Sequence, residues 1–173
     1  ALIWGDHAWK TIDAGKVGEH FFVLNASVGF TPRMMDETQS QYKYKRIFGR
    51  LAYIWVGIKE ILGLRTRQFT LEVDGHSQVR QAAEIMIANS PGIGNSQILW
   101  GSHIKMDDGH LDICVIHART LWGYIKLAWD ILLGQAERDP HIDYIPAREH
   151  ISVSTPRSLQ VQADGDVIDE TPF

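Results

Sequence analysis

Three Asp-Gly pairs, Asp74-Gly75, Asp108-Gly109 and Asp164-Gly165, constrain the fold of this chain more than any other feature. Asp-Gly is a strong turn signal because both residues tolerate positive φ. Around the pairs, apolar residues alternate or run in short blocks, the pattern of strands with a buried face. Phe69, Leu71 and Val73 face one way ahead of Asp74-Gly75, which predicts a strand over 66–73 and a partner over 79–88. Further strands are predicted over 98–104 and 111–117, divided by a turn at Asp107-Asp108-Gly109. Short strands over 151–153 and 159–161 follow, then the Asp164-Gly165 turn and Val167-Ile168. Residues 11–30 read as a hairpin, with its turn at 13–16 and a strong strand over 20–28. Residues 90–96 hold Pro91, Gly92 and Gly94 and read as a loop.

Two segments change period. Tyr44, Ile47, Phe48, Leu51, Ile54, Trp55, Ile58, Ile61 and Leu62 recur every three or four residues, as do Leu121, Trp122, Ile125, Ala128, Trp129 and Leu132. They predict helices over 42–62 and 119–133, ended by Gly63 and Gly134. The second helix, with Trp122, Tyr124 and Trp129, is expected to pack in the core. The fold class is therefore mainly β, a β-sandwich with two attached helices. No repeat, low-complexity tract or linker divides it, so residues 1–173 read as a single domain.

The net charge of −4 argues against a partner bound through broad phosphate neutralisation, so no nucleic acid is expected. A single cysteine, Cys114, permits no intrachain disulfide and fits a cytoplasmic location. The most apolar stretch, 51–64, is interrupted by Lys59 and Glu60 and is too short to span a bilayer. The eight histidines form no zinc-ligand pattern, and no Gly-x-Ser-x-Gly elbow occurs. The opening Ala1-Leu2-Ile3-Trp4 reads like a strand entered midway, as in a domain of a longer protein.

Three segments, in order, carry a resemblance. The first is Phe21 to Phe30, a strand reaching Asn25-Ala26-Ser27-Val28-Gly29-Phe30. The second is Ile87-Ala88-Asn89-Ser90, followed by Lys105-Met106-Asp107-Asp108-Gly109-His110-Leu111-Asp112. The third is Val161-Gln162-Ala163-Asp164-Gly165-Asp166, followed by Thr171-Pro172. Together they resemble the C-terminal lobe of the bacterial diacylglycerol kinases and sphingosine kinase-like lipid kinases, whose sandwich is related to that of the NAD kinases. The chain departs from the family pattern at Asp166, where the family has Glu, and at Trp100-Gly101-Ser102-His103. The family's Gly-Gly-Asp-Gly-Thr nucleotide motif, which belongs to an N-terminal lobe, is absent.

The resemblance implies a lipid kinase that is inactive without the N-terminal ATP-binding lobe. It places the general base at Asp166, with Asp164 as the second candidate, and ordinary turns remain the alternative. It implies Mg²⁺ at Lys105, Asp108 and His110, where Lys105 offers only its carbonyl because an ammonium cannot ligate. ATP would be bound mainly by the other lobe. The acceptor would be a lipid hydroxyl at a membrane surface, diacylglycerol-like or sphingoid-like. Lys43, Lys45, Arg46 and Arg50, beside Tyr42, Tyr44 and Trp55, fit peripheral association with that surface. The face left by a separated lobe is suited to a homodimer. Two other readings stay open: the C-terminal lobe of an NAD kinase, and a non-catalytic lipid-binding sandwich.

Overall fold

The computed structural model describes residues 11–29, 66–92 and 99–173, and the helix expected over 42–62 lies outside them. Eleven strands and one α-helix are described: β1 Gly15–Val17, β2 His20–Phe22, β3 Asn25–Val28, β4 Arg67–Val73, β5 His76–Ala82, β6 Glu84–Ala88, β7 Leu111–Ile116, α1 Leu121–Leu132, β8 Ile142–Ala147, β9 Ile151–Ser154, β10 Gln160–Ala163 and β11 Asp166–Glu170. They form a six-stranded sheet ordered β11-β10-β3-β6-β7-β8, a three-stranded sheet β5-β4-β9 and the hairpin β1-β2. Every pairing is antiparallel.

One face of the six-stranded sheet supplies Val28, Ile85, Ile113, Val115 and Val161 to a core shared with Phe69, Leu71 and Val153 of the smaller sheet. These side chains are at most 1% exposed, and each such burial contributes about 1.5–3 kcal/mol. The opposite face supplies Met86, Cys114, Ile116 and Ile142, which Leu127 and Ile131 of α1 cover. The mainly β sandwich is therefore what the period-two pattern encodes.

Several boundaries differ from the sequence expectation. The run over 79–88 is two strands in different sheets: β5 pairs with β4, and after Ala83 the chain crosses to pair β6 with β3 and β7. Gly29 permits this crossing, since a Cβ there would sit 2.4 Å from the Ala83 carbonyl oxygen, at φ +129°. The first hairpin turns at Gly18-Glu19 rather than over 13–16, and the strand expected over 20–28 breaks at Val23-Leu24. Of the strand expected over 98–104, the described residues 99–104 show only a bridge between Leu99 and Gly92, followed by turns. There the Glu137 carboxylate takes the His103 backbone N–H at 3.1 Å and the Ser102 hydroxyl at 2.6 Å, so strand pairing is displaced. Strand β8 has no counterpart in the sequence reading. Its Pro146 argues against a central strand, but β8 is the sheet edge, where proline is tolerated.

Helix α1 begins where expected but turns a different face inward. Gly123, Leu127 and Ile131 are buried, whereas Trp122 is 77% exposed and Trp129 62% exposed. The expectation that its aromatics lie in the core is corrected for both tryptophans. The Thr120 hydroxyl accepts from the Gly123 N–H at 3.1 Å and caps the helix. Its loop is anchored by Asp139, whose carboxylate accepts from Lys126 Nζ at 2.7 Å and from the His141 N–H at 2.7 Å. Burial alone would raise the Asp139 carboxyl, but these donors hold it at about 2. Thr120→Ala should cost about 1 kcal/mol of unfolding free energy in a denaturant titration, and Thr120→Ser should restore most of it.

Candidate functional site

The antiparallel registers bring all three resemblance segments to one end of the six-stranded sheet. Asn25 opposes Ala88, Ala26 opposes Ala163, Ala88 opposes Asp112, and Leu111 opposes Ala147. Residues 89–90, the turn before β7 and the β10–β11 turn therefore share this end.

Asp164 holds the end together. It sits at φ +48°, followed by Gly165 at φ +103°, the tight turn that Asp-Gly favours. Its carboxylate accepts three backbone N–H groups: Val23 at 2.8 Å, Leu24 at 2.8 Å and Asn25 at 3.0 Å. Its own N–H donates to the Asn25 carbonyl at 2.9 Å. Beside this latch, Gln162 Nε2 donates to Asn25 Oδ1 and Ser27 Oγ, both at 3.0 Å, and the Gly165 N–H donates to Gln162 Oε1 at 3.0 Å. Asn89, fully buried, donates to the Asp13 carbonyl at 2.7 Å and the Val23 carbonyl at 2.9 Å. Asn89 Oδ1 is buried without a partner among the described residues.

The same device occurs at the β4–β5 turn of the smaller sheet, where it holds the β8–β9 connection that borders this end. Asp74, also at φ +48°, accepts the N–H groups of Arg148 at 2.9 Å, Glu149 at 2.9 Å and His150 at 3.0 Å, and donates its own N–H to the His150 carbonyl. Asp74 belongs to no resemblance segment. Asp164 is thus engaged as a latch, as Asp74 is, and its lone pairs are directed at backbone donors. Asp166 opens β11 just beyond the latch and is exposed. Its side chain has no hydrogen bond or ion pair among the described residues.

The turn at Lys105–His110 lies at the same end. Asp13 clamps it, donating its N–H to the Met106 carbonyl at 2.7 Å and accepting the Gly109 N–H at 2.9 Å. The Asp108 carboxylate lies 3.2 Å from His110 Nδ1, while Lys105 is exposed. Among the described residues no group of three or more His, Cys, Asp and Glu side chains is arranged to hold a metal. A cation here would rely on the Asp108 carboxylate, main-chain carbonyls and water, a hard oxygen set that suits Mg²⁺. Beside the turn, a cavity of about 520 Å³ opens between β1–β2 and the β8–β9 connection, floored by Phe22, Ile87 and Phe173.

Asp112, given no role by the sequence reading, is 3% exposed at this end of β7. Burial raises its carboxyl above the usual range, against the pull of His103 and His110. His103 Nε2 lies 3.7 Å from Asp112, and His103 Nδ1 lies 3.1 Å from Glu137. The readable signal was a lone carboxylate inside the apolar run Leu111-Asp112-Ile113-Cys114-Val115-Ile116. No helix among the described residues is long and apolar enough to cross a membrane.

Comparison with known proteins adds relatives to this geometry. Residues 26–173 match the family model of the YegS C-terminal NAD kinase beta sandwich-like domain. A Staphylococcus epidermidis protein named "putative lipid kinase" is 32% identical over 95% of this chain and 52% of its own length. The protein named diacylglycerol kinase from Bacillus subtilis is 25% identical over 91% of this chain and 50% of its own length. The solved structure titled as a "putative diacylglycerol kinase" from Bacillus anthracis superposes with a TM-score of 0.71 at 22% identity, over 94% of this chain and 52% of that one, and shows the shared fold. The chain spans about half the length of the curated relatives it matches.

The Asp74 latch has a measurable pH signature. The N–H groups of His150, Glu149 and Arg148, in that order, lower its carboxyl from 3.8 to about 2. A depressed folded value contributes stability that is present above the unfolded value and lost as pH falls through the folded one. Wild type should therefore lose this contribution between pH 3.8 and about 2. Asp74→Asn should be less stable at neutral pH and show a shallower decline across that window in thermal melts.

Proposed function

The chain belongs to the family of YegS C-terminal NAD kinase beta sandwich-like domains, and on that footing we propose that it is the acceptor-side lobe of an ATP-dependent lipid kinase. The acceptor is a lipid hydroxyl, diacylglycerol-like or sphingoid-like, and ATP is held mainly by a second lobe. The observation that carries this reading is the meeting of three separate segments at one sheet end, where the Asp164 latch leaves the Asp166 carboxylate exposed and unpaired among the described residues. The relatives' names favour a lipid over NAD as acceptor.

Asp166 acts as the general base. As the acceptor oxygen forms its bond to the γ-phosphorus, the bond from that phosphorus to the departing ADP oxygen breaks, and the hydroxyl proton passes to the Asp166 carboxylate. Asp164 positions that carboxylate by fixing the turn against residues 23–25. Mg²⁺ at the Lys105–His110 turn would be held by Asp108 and main-chain carbonyls, supplying positive charge that orders the turn. His110 holds Asp108 by their 3.2 Å contact, and Lys105 contributes a carbonyl only. The protein works in the cytoplasm against the membrane that holds its acceptor.

Two experiments on the full-length protein test this. Asp166→Asn keeps shape and removes the proton acceptor, so kcat should fall at least ~100-fold with little change in KM for lipid. Asp166→Glu, one methylene longer, should retain activity or raise it. Near wild-type turnover in Asp166→Asn rejects the base, and phosphorylation of NAD in place of lipid rejects the acceptor class. For the cation, millimolar Mg²⁺ should raise the wild-type melting temperature, and Asp108→Ala should abolish that rise; an unchanged response removes the site.

A further inference from the structure

We propose that Asn89 is a positioning residue that ties the turn carrying Asp166 to the Lys105–His110 turn. The inference rests on the reading of Asp166 as the base. Asn89 follows β6 and is fully buried, inside the sheet end where the three segments meet. Its Nδ2 donates to the Asp13 carbonyl at 2.7 Å and to the Val23 carbonyl at 2.9 Å. Both neighbours are carbonyl oxygens, which only the NH₂ end of the amide can serve. That orientation leaves Oδ1 buried and bare among the described residues. A buried acceptor left bare costs stability, so the arrangement is set by the two carbonyls that Nδ2 joins.

Each carbonyl leads to a different turn. On one side, the N–H groups of Asn89 and Ser90 both donate to the Leu24 carbonyl at 3.0 Å, while the N–H groups of Val23 and Leu24 donate to the Asp164 carboxylate at 2.8 Å. Residues 23 and 24 are therefore gripped twice. Asn89 and Ser90 hold their carbonyls, and Asp164, two residues before Asp166, holds their N–H groups. On the other side, Asp13 donates its N–H to the Met106 carbonyl at 2.7 Å, and its carboxylate accepts the Gly109 N–H at 2.9 Å. One rigid amide thus belongs to both sets of contacts. A side chain with a single donor hydrogen would serve one carbonyl and release the other. The separation of the two turns matters because a base about 1 Å out of place costs ~100-fold in rate.

The test uses the full-length protein, with hydrogen exchange read by mass spectrometry and kinetics on detergent-dispersed diacylglycerol or sphingosine. Asn89→Ala should speed exchange over 20–25 and over 104–111 together, and leave 146–152, held by the Asp74 latch, as protected as in wild type. Its kcat should fall about tenfold or more, with KM for lipid and for ATP within about twofold of wild type. In an Asp166→Asn background the same change should leave kcat nearly unaltered, because a base already removed cannot be displaced. A merely structural role would lower kcat by the same factor in both backgrounds. Thr120→Ala, which loosens the fold away from this end, should leave kcat unchanged. If Asn89→Ala does not fold, Asp13→Ala cuts the same path at Gly109. It should speed exchange over 104–111 and lower kcat with the same dependence on Asp166. Faster exchange over only one of the two segments in Asn89→Ala, or over neither, overturns the tie. Equal losses of kcat in both backgrounds, or no loss, overturn the positioning role. If wild type phosphorylates neither lipid, the kinase reading falls, and the exchange pattern alone decides the tie.

Discussion

A carboxylate that gathers three backbone N–H groups is the constraint on which this sandwich depends. Asp164 accepts from Val23, Leu24 and Asn25, and Asp74 accepts from Arg148, Glu149 and His150. In each case a segment entering a strand presents several donors without ladder partners, and gathering them on one acceptor fixes the path of that segment. One ionised side chain satisfies them together through short charge-assisted bonds. The left-handed backbone at φ +48° aims each carboxylate back across the sheet, and the following glycine closes the turn. The two latches tie β10–β11 to β3, and β4–β5 to β9.

That duplication separates structure from chemistry within one motif. Asp164-Gly165-Asp166 presents two carboxylates around a glycine, and spacing alone assigns either of them to a reaction. Asp74-Gly75-His76 builds the same latch with no second carboxylate. What the first Asp does is therefore architectural in both places, and the difference between the corners lies in the residue after the glycine. A rigid turn is also what a base requires, since about 1 Å of misplacement costs ~100-fold in rate. The network of Gln162, Asn25 and Ser27 behind the turn serves the same end, with polar groups that fit one arrangement only.

The strands flanking the Asp-Gly pairs were legible because period-two alternation and turn chemistry agree there. Strand β4, the Asp74 turn, β7 and the Asp164 turn fall where the sequence places them. Long-range side-chain claims on the backbone were not legible. The break at Val23-Leu24 is made by Asp164, 141 residues from Val23, and the lost strand near Ser102-His103 is made by Glu137. Strand β8 was hidden because Pro146 and Asp143 read as breakers, yet an edge strand tolerates both. For the site, the resemblance located the right segments, but only the registers show that they meet. The roles of Asp13 as a clamp and of Asp112 as a buried acid carry no local signature.

Helix α1 exposes a limit in periodicity itself. A helix with apolar residues on two faces scores as amphipathic about whichever face holds the larger side chains. Here the larger ones, Trp122, Trp129 and Leu132, lie outside, and the core face is built from Gly123, Leu127 and Ile131. The small residue favours the geometry: a Cβ at Gly123 would stand 3.0 Å from His141 Nε2, so a larger residue would push the His141 ring or the first turn back by a few tenths of an ångström. His141 is in turn fixed by Asp139, which also binds Lys126 on the helix flank. The close approach and the Lys126–Asp139–His141 chain therefore fix the rotation of α1 about its axis. With that rotation fixed from the flank and from beneath, the tryptophans have no way to turn inward. Their exposure follows from how the helix is anchored, and a surface made that way is available to whatever the protein meets.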